Sequence, residues 1–123
     1  MGYPQHAAAA YAAIDPCLTT PGRAEAMVFA KITRRMRAVF ADESATISAR
    51  VSILHDNRRL WHAVALSCAS DANAMAPELR ASLIGLAGFV DRHTSAVLRK
   101  EGEPEVLCEI NQRIAAGLSV GAT

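Results

Sequence analysis

Few residues of this 123-residue chain are of types that do chemistry, and their spacing suits it poorly. His55 and Asp56 are adjacent, and His62 follows seven residues after His55, so on a helix both histidines share one face. A histidine–aspartate doublet can begin a metal site, but this one lacks further ligands. The one upstream histidine is His6, in a separate segment, and Asp56 projects about 100° away from His55 around a helix. The set reads as two histidines on a charged helix face, with no metal bound. Cys17, Cys68 and Cys108 are odd in number, have no CxxC spacing and have no neighbours that would lower a thiol pKa. No serine sits in a G-x-S-x-G turn, and the dispersed glycines form no phosphate loop. Gly85 and Gly88 fall inside a helical stretch, where glycine usually lets two helices approach closely. The expectation is no catalytic residue, no cofactor and no enzyme activity.

Lys31, Arg34, Arg35 and Arg37 form a basic patch, yet the whole chain carries a net charge of only +1. The patch is short and has no interleaved aromatics, so it reads as a solvated face, and nucleic acid is not the expected partner. Asn57 is harder to set aside. It falls on the apolar face of its helix, between the rows led by Ile53/Leu60 and Leu54/Trp61. A buried amide costs stability unless it is bonded, and in return it fixes helix register. We expect Asn57 to bond a neighbouring helix, with Asn111 a candidate partner, and Trp61 to be buried against the fourth or last helix.

The elements that must position these residues are helical. The composition is 51% hydrophobic, alanine-rich and only 5% aromatic, which favours helix over sheet. A short alanine-rich helix is expected at 4–13. Thr20 and Pro21 are suited to cap and open the next segment, which reaches about Ala41. The third segment carries Ile47, Val51, Leu54, Arg58, Trp61, Ala65 and Cys68 in a four-three alternation, widened on one side by Ile53, Leu60 and Val64. Turn-forming residues at 70–77 lead to a fourth helix lined by Leu79, Leu83, Leu86, Val90 and Val97. Gly102 and Pro104 end that helix, and a last one carries Val106, Leu107, Ile110, Ile114 and Leu118. No period-two run suggests a strand. The fold class is therefore all-α: a small single-domain bundle of four to five helices.

The apolar stretch at 81–90 is about half the length that a bilayer crossing requires. The N-terminal residues have neither the basic lead nor the leucine-rich run of a secretory signal. A cytoplasmic protein is expected. The third and fourth helices have wider apolar stripes than one helix contact covers. Leu66, Ile84 and Leu98 are the residues we expect to remain open for a partner.

Three motifs, in order, carry a resemblance. Asn57, Leu60 and Trp61 form N-x-x-L-W. After a short turn, Leu79, Arg80, Leu83 and Ile84 form L-R-x-x-L-I. Ile110, Asn111, Ile114, Gly117 and Leu118 form a closing I-N-x-x-I-x-x-G-L. Tyr11, Pro21 and Glu25 match an alanine- and tyrosine-containing lead followed by a proline and an acidic residue. This pattern resembles the FlaF family of flagellar biosynthesis proteins over nearly the whole chain. The resemblance implies one FlaF-like helical domain over 1–123, with residues 1–20 a loosely attached lead. It implies a non-enzymatic cytoplasmic protein of flagellated alphaproteobacteria that binds flagellin and supports or regulates its production and secretion. The alternative it allows is post-transcriptional control of flagellin expression through FlbT or messenger RNA. It transfers no catalytic or flagellin-contact residues. The motif residues Asn57, Leu60, Trp61, Asn111, Gly117 and Leu118 carry a structural expectation only.

Overall fold

The computed structural model describes the chain over residues 21–70 and 73–121, with side chains over 24–70 and 73–117. Four helices follow one another: α1 (Pro21–Ala41), α2 (Ile47–Ala69), α3 (Pro77–Leu98) and α4 (Pro104–Gly121). Among the described residues there is no strand. The expected helix at 4–13 and the Thr20 cap lie outside them.

Local chemistry sets the boundaries. Proline opens α1, α3 and α4, where its missing N–H costs nothing because the first-turn donors have no intrahelical acceptor. Helix α2 has no proline and uses Thr46, whose hydroxyl accepts from the Ala49 amide at 3.0 Å. Between α1 and α2 the Asp42 carboxylate accepts from the Ser44 amide at 2.9 Å and from its hydroxyl at 2.6 Å, closing a tight turn. Helix α3 ends at Leu98, and two residues on, Lys100 takes a left-handed φ of 63°. The Glu101 amide donates to the Ala96 carbonyl and the Lys100 amide to the Val97 carbonyl, the paired bonds of a Schellman stop. Gly102 follows where a side chain has no room: a Cβ there would meet the His93 ring at 3.0 Å. Gly85 and Gly88 differ from expectation. A Cβ on Gly85 would meet nothing within 4 Å, and one on Gly88 only the end of its own helix's Arg92, so neither is a point of close helix approach.

The helices close a ring. α1 packs on α2 and most extensively on α4, α2 packs on α3, and α3 touches α4 lightly; α1 with α3 and α2 with α4 stand across the diagonals. Phe29, Met36, Ile53, Leu54, Leu60, Trp61, Val64, Val90 and Leu107 fill the centre. The core row of α2 is not the one the heptad pattern led with. Ile47 is 79% exposed and Val51 44%, while the stripe that they begin enters the core at Leu54, Trp61 and Cys68. The buried residues of α2 begin only at Ile53, so its first turns, with Ile47 and Val51, stand clear of the core, and Ile53, Leu60 and Val64, the residues placed to one side, form the central row together with Asn57.

Candidate functional site

The residues singled out for chemistry do not converge. Asp56 is held by Arg35 at 3.0 Å, His62 lies 3.2 Å from Asp91, and His55 is exposed. Among the described residues no three His, Cys, Asp or Glu side chains cluster as metal ligands. Cys68 and Cys108 are buried, and burial pushes both thiols up, Cys108 to about 11, away from the thiolate that nucleophilic work needs. The basic patch is split by its own pairings. Arg35 bonds α2, and Arg37 bonds Glu105 and Gln112 of α4, which leaves Lys31 and Arg34 as its exposed cations without such pairs among the described residues.

The polar residues within the apolar face do come together. Trp61 is 1% exposed, meets Phe29 of α1 edge-on at 5.4 Å and donates its indole N–H to Asn111 Oδ1 at 2.8 Å. Asn111 Nδ2 in turn donates to Asn57 Oδ1 at 2.7 Å. The orientations are forced: an indole only donates, so Asn111 must present its oxygen to Trp61 and its nitrogen to Asn57. The relay spans the α2–α4 diagonal, where the backbones do not touch, and its last donor, Asn57 Nδ2, is buried without a partner among the described residues. The expected Asn57–Asn111 bond is present, and Trp61 bonds the last helix as expected. Its packing against Phe29 of α1 had no signal in the sequence beyond an aromatic at a helical position.

The three residues expected to stay open are exposed: Leu66 68%, Ile84 40% and Leu98 45%. Ile84, Asp91 and Leu98 recur every seven residues on one stripe of α3, and Leu66 lies one turn beyond His62 on α2. Asp91 marks where that stripe meets α2. Its carboxylate accepts from Arg58 Nε at 2.7 Å, and Arg58 Nη2 donates to the Asp91 carbonyl at 2.7 Å and the Ser95 hydroxyl at 2.8 Å. His62 and Arg58 hold the Asp91 carboxyl below its ordinary range. Ile84 and Leu98, roughly 21 Å apart along α3, therefore flank an ionic centre rather than form one continuous patch.

A continuous apolar surface occurs elsewhere. Phe29, Val64, Cys68, Met75, Leu79, Leu83 and Ile114 line a cleft of about 240 Å³ at the end of the bundle where α1 and α3 begin and α2 ends; Glu25, Arg113 and Gly117 complete its wall. Burial among these side chains pushes the Glu25 carboxyl up to about 7.

The family model described as flagellar protein FlaF matches residues 7–118. The chain belongs to the FlaF family. No curated protein and no solved structure matches it. It is accordingly a flagellar protein, and no helix among its described residues is long and apolar enough to cross a membrane. In this FlaF chain the motif residues have visible work. Asn57 and Trp61 of the first motif meet Asn111 of the third. Arg80 of the second closes the end of α2, donating from Nε to the Cys68 carbonyl at 2.8 Å and from Nη2 to the Ser70 carbonyl at 3.1 Å. Leu60 is buried in the core, and Gly117 borders the cleft, where a Cβ would meet nothing within 4 Å. The side chain of Leu118 lies outside the described residues. Sequence reasoning marked Glu25 for its place after Pro21 but missed its cleft, since nothing local shows that α2, α3 and α4 supply the other walls.

Proposed function

We propose that this FlaF-family protein is non-enzymatic and binds monomeric flagellin in the cytoplasm, covering apolar helix surface before export. The observation that carries the reading is the set of large apolar side chains left open along the α2–α3 seam, Leu66, Ile84 and Leu98, on a protein of a flagellar family. A seam between two packed helices is a natural groove for an amphipathic third, and the unassembled terminal helices of a flagellin supply one. Arg58 and Asp91, paired with each other at mid-seam, hold α2 against α3 beneath that groove.

Calorimetry of the purified protein with monomeric flagellin tests this. Apolar burial gives a negative heat-capacity change and an affinity that survives moderate salt. Leu66→Asp and Leu98→Asp, at exposed positions that the fold tolerates, should each weaken binding about tenfold or more, whereas charge reversal at Lys31 or Arg34 should change it little. Absence of binding at both low and high salt refutes the reading and leaves control of flagellin expression through FlbT. Direct contact with messenger RNA is the weaker form of that alternative, because Arg35 and Arg37 are already engaged by Asp56 and Glu105.

A further inference from the structure

The cleft at the end of the bundle has a composition that the seam reading does not use. Its walls are the side chains of Phe29, Val64, Met75, Leu79, Leu83 and Ile114, and Leu79 stands 49% exposed at its edge. Into this apolar surface projects one carboxyl, Glu25, which makes no hydrogen bond or ion pair with any described residue. Arg113 also lines the cleft, yet it forms no ion pair with Glu25. At about 240 Å³ the space falls below the ~300 Å³ at which small-molecule and cofactor pockets begin, and it suits one or two inserted side chains.

We propose that this cleft is a docking site for the apolar face of a partner helix that carries a lysine or arginine within that face, its cation pairing with Glu25. The complementarity is both of shape and of charge. A carboxyl set among hydrocarbon loses its hydration without gaining a partner, so a cation delivered on an apolar helix restores what burial removes. An acidic residue at the same place would stand against the Glu25 carboxyl, and a neutral one would leave that carboxyl unpaired. A stem of four methylenes, as in lysine, can lie along Leu79 and Leu83 while its ammonium reaches the carboxyl.

The groups around Glu25 make the pH dependence specific. Cys68 faces it from α2, and its thiol is pushed up and stays protonated through neutrality. Arg113 faces it from α4. Arg80 of α3 lies beyond Cys68, bound to carbonyl oxygens, while Met75, Leu79 and Leu83 do not titrate. Glu25 is thus the group that changes charge near neutral pH. Its ionised form is the one that pairs with a cation, so a basic helix should bind about tenfold more tightly at about pH 8 than at about pH 6.

The test uses the full chain and two synthetic helical peptides of about five turns. Both have a leucine face and uncharged outer positions, and they differ at one site within the leucine face, lysine in one and glutamate in the other. Fluorescence anisotropy should give at least tenfold preference for the lysine peptide at about pH 8, and Glu25→Gln should remove that preference and its pH dependence. Methyl NMR of Met75 should shift on binding. Removing the carboxyl charge does not endanger folding, so a lost preference reports on recognition. Equal affinity for the two peptides, no binding of either, or a preference that survives Glu25→Gln each overturns the proposal. So does formation of a dimer that Glu25→Gln abolishes while no peptide binds, since a second copy would then be the occupant. The outcome is separable from the flagellin reading: flagellin binding lost with peptide discrimination intact refutes only the latter.

Discussion

Replacing Asn111 by leucine should destabilise the fold by about 2–6 kcal/mol, while the same replacement of Asn57 should cost about 0–1 kcal/mol beyond any repacking. Both residues are fully buried asparagines joined by a single hydrogen bond, so burial alone would rank them equally. The donor and acceptor count separates them. Asn111 sits in the middle of the relay, and removing it strands the Trp61 indole N–H and the Asn57 carbonyl oxygen. Each stranded buried group costs about 1–3 kcal/mol. Asn57 stands at the end. Its removal strands Asn111 Nδ2 but also eliminates Asn57 Nδ2, which is already without a partner, and the two changes nearly cancel. Leucine in both places keeps the repacking cost similar. Urea unfolding followed by far-ultraviolet circular dichroism reads the difference: with slopes of about 1–2 kcal/mol per molar, the Asn111 variant's midpoint should lie about 0.5 M or more below that of the Asn57 variant. The double variant should cost less than the sum of the singles by about 2–6 kcal/mol, because each single strands one amide group that the double removes. Equal midpoints, or an Asn57 variant less stable than the Asn111 one, would refute the relay as drawn.

Trp61→Ala should cost about 3–5 kcal/mol in the same assay, since it empties a central core site and removes the edge contact with Phe29; a loss below about 1 kcal/mol would place the ring outside the core. The Glu25 carboxyl is raised in the fold from 4.5 to about 7, so its contribution is fully present below about pH 4.5 and is lost as pH rises through 7, a change of about 2–3 kcal/mol. Glu25→Gln should therefore melt several degrees above the unaltered protein at about pH 8 and within a degree or so of it at about pH 4.5; an equal difference at both pH values would contradict the burial. Lys100→Gly should stabilise the protein by about 0.5–1 kcal/mol, because glycine enters the left-handed region without a Cβ clash; a loss on thermal melting would mean that the lysine side chain contributes more than its backbone costs.

How legible the molecule was depended on the range of the interaction. Helix limits were readable because their causes are local: Pro21 and Pro77 start helices by their own ring geometry, Ala69 gives way to turn-forming residues, and Pro104, read as part of a helix end, is also the first residue of α4. The Asn57–Asn111 bond was readable because an amide at a core position must find a partner, and few polar side chains on the last helix face inward. The placing of Ile47 and Val51 was not readable, because a heptad gives the period of a stripe but not where along the helix the neighbours begin to cover it. The charged contacts were hidden for the same reason. Arg35 with Asp56, Arg58 with Asp91 and Arg37 with Glu105 join residues 21, 33 and 68 positions apart, distances over which spacing along one helix carries no information. Glu25 shows the division most sharply. The sequence by itself put an acidic residue one turn into a helix, an ordinary place for it beside the positive end of the helix dipole. Only the tertiary structure placed that carboxyl in a cleft whose walls come from four helices, and that placement, by removing water without supplying a partner among the described residues, pushed an ordinary acid up to about 7.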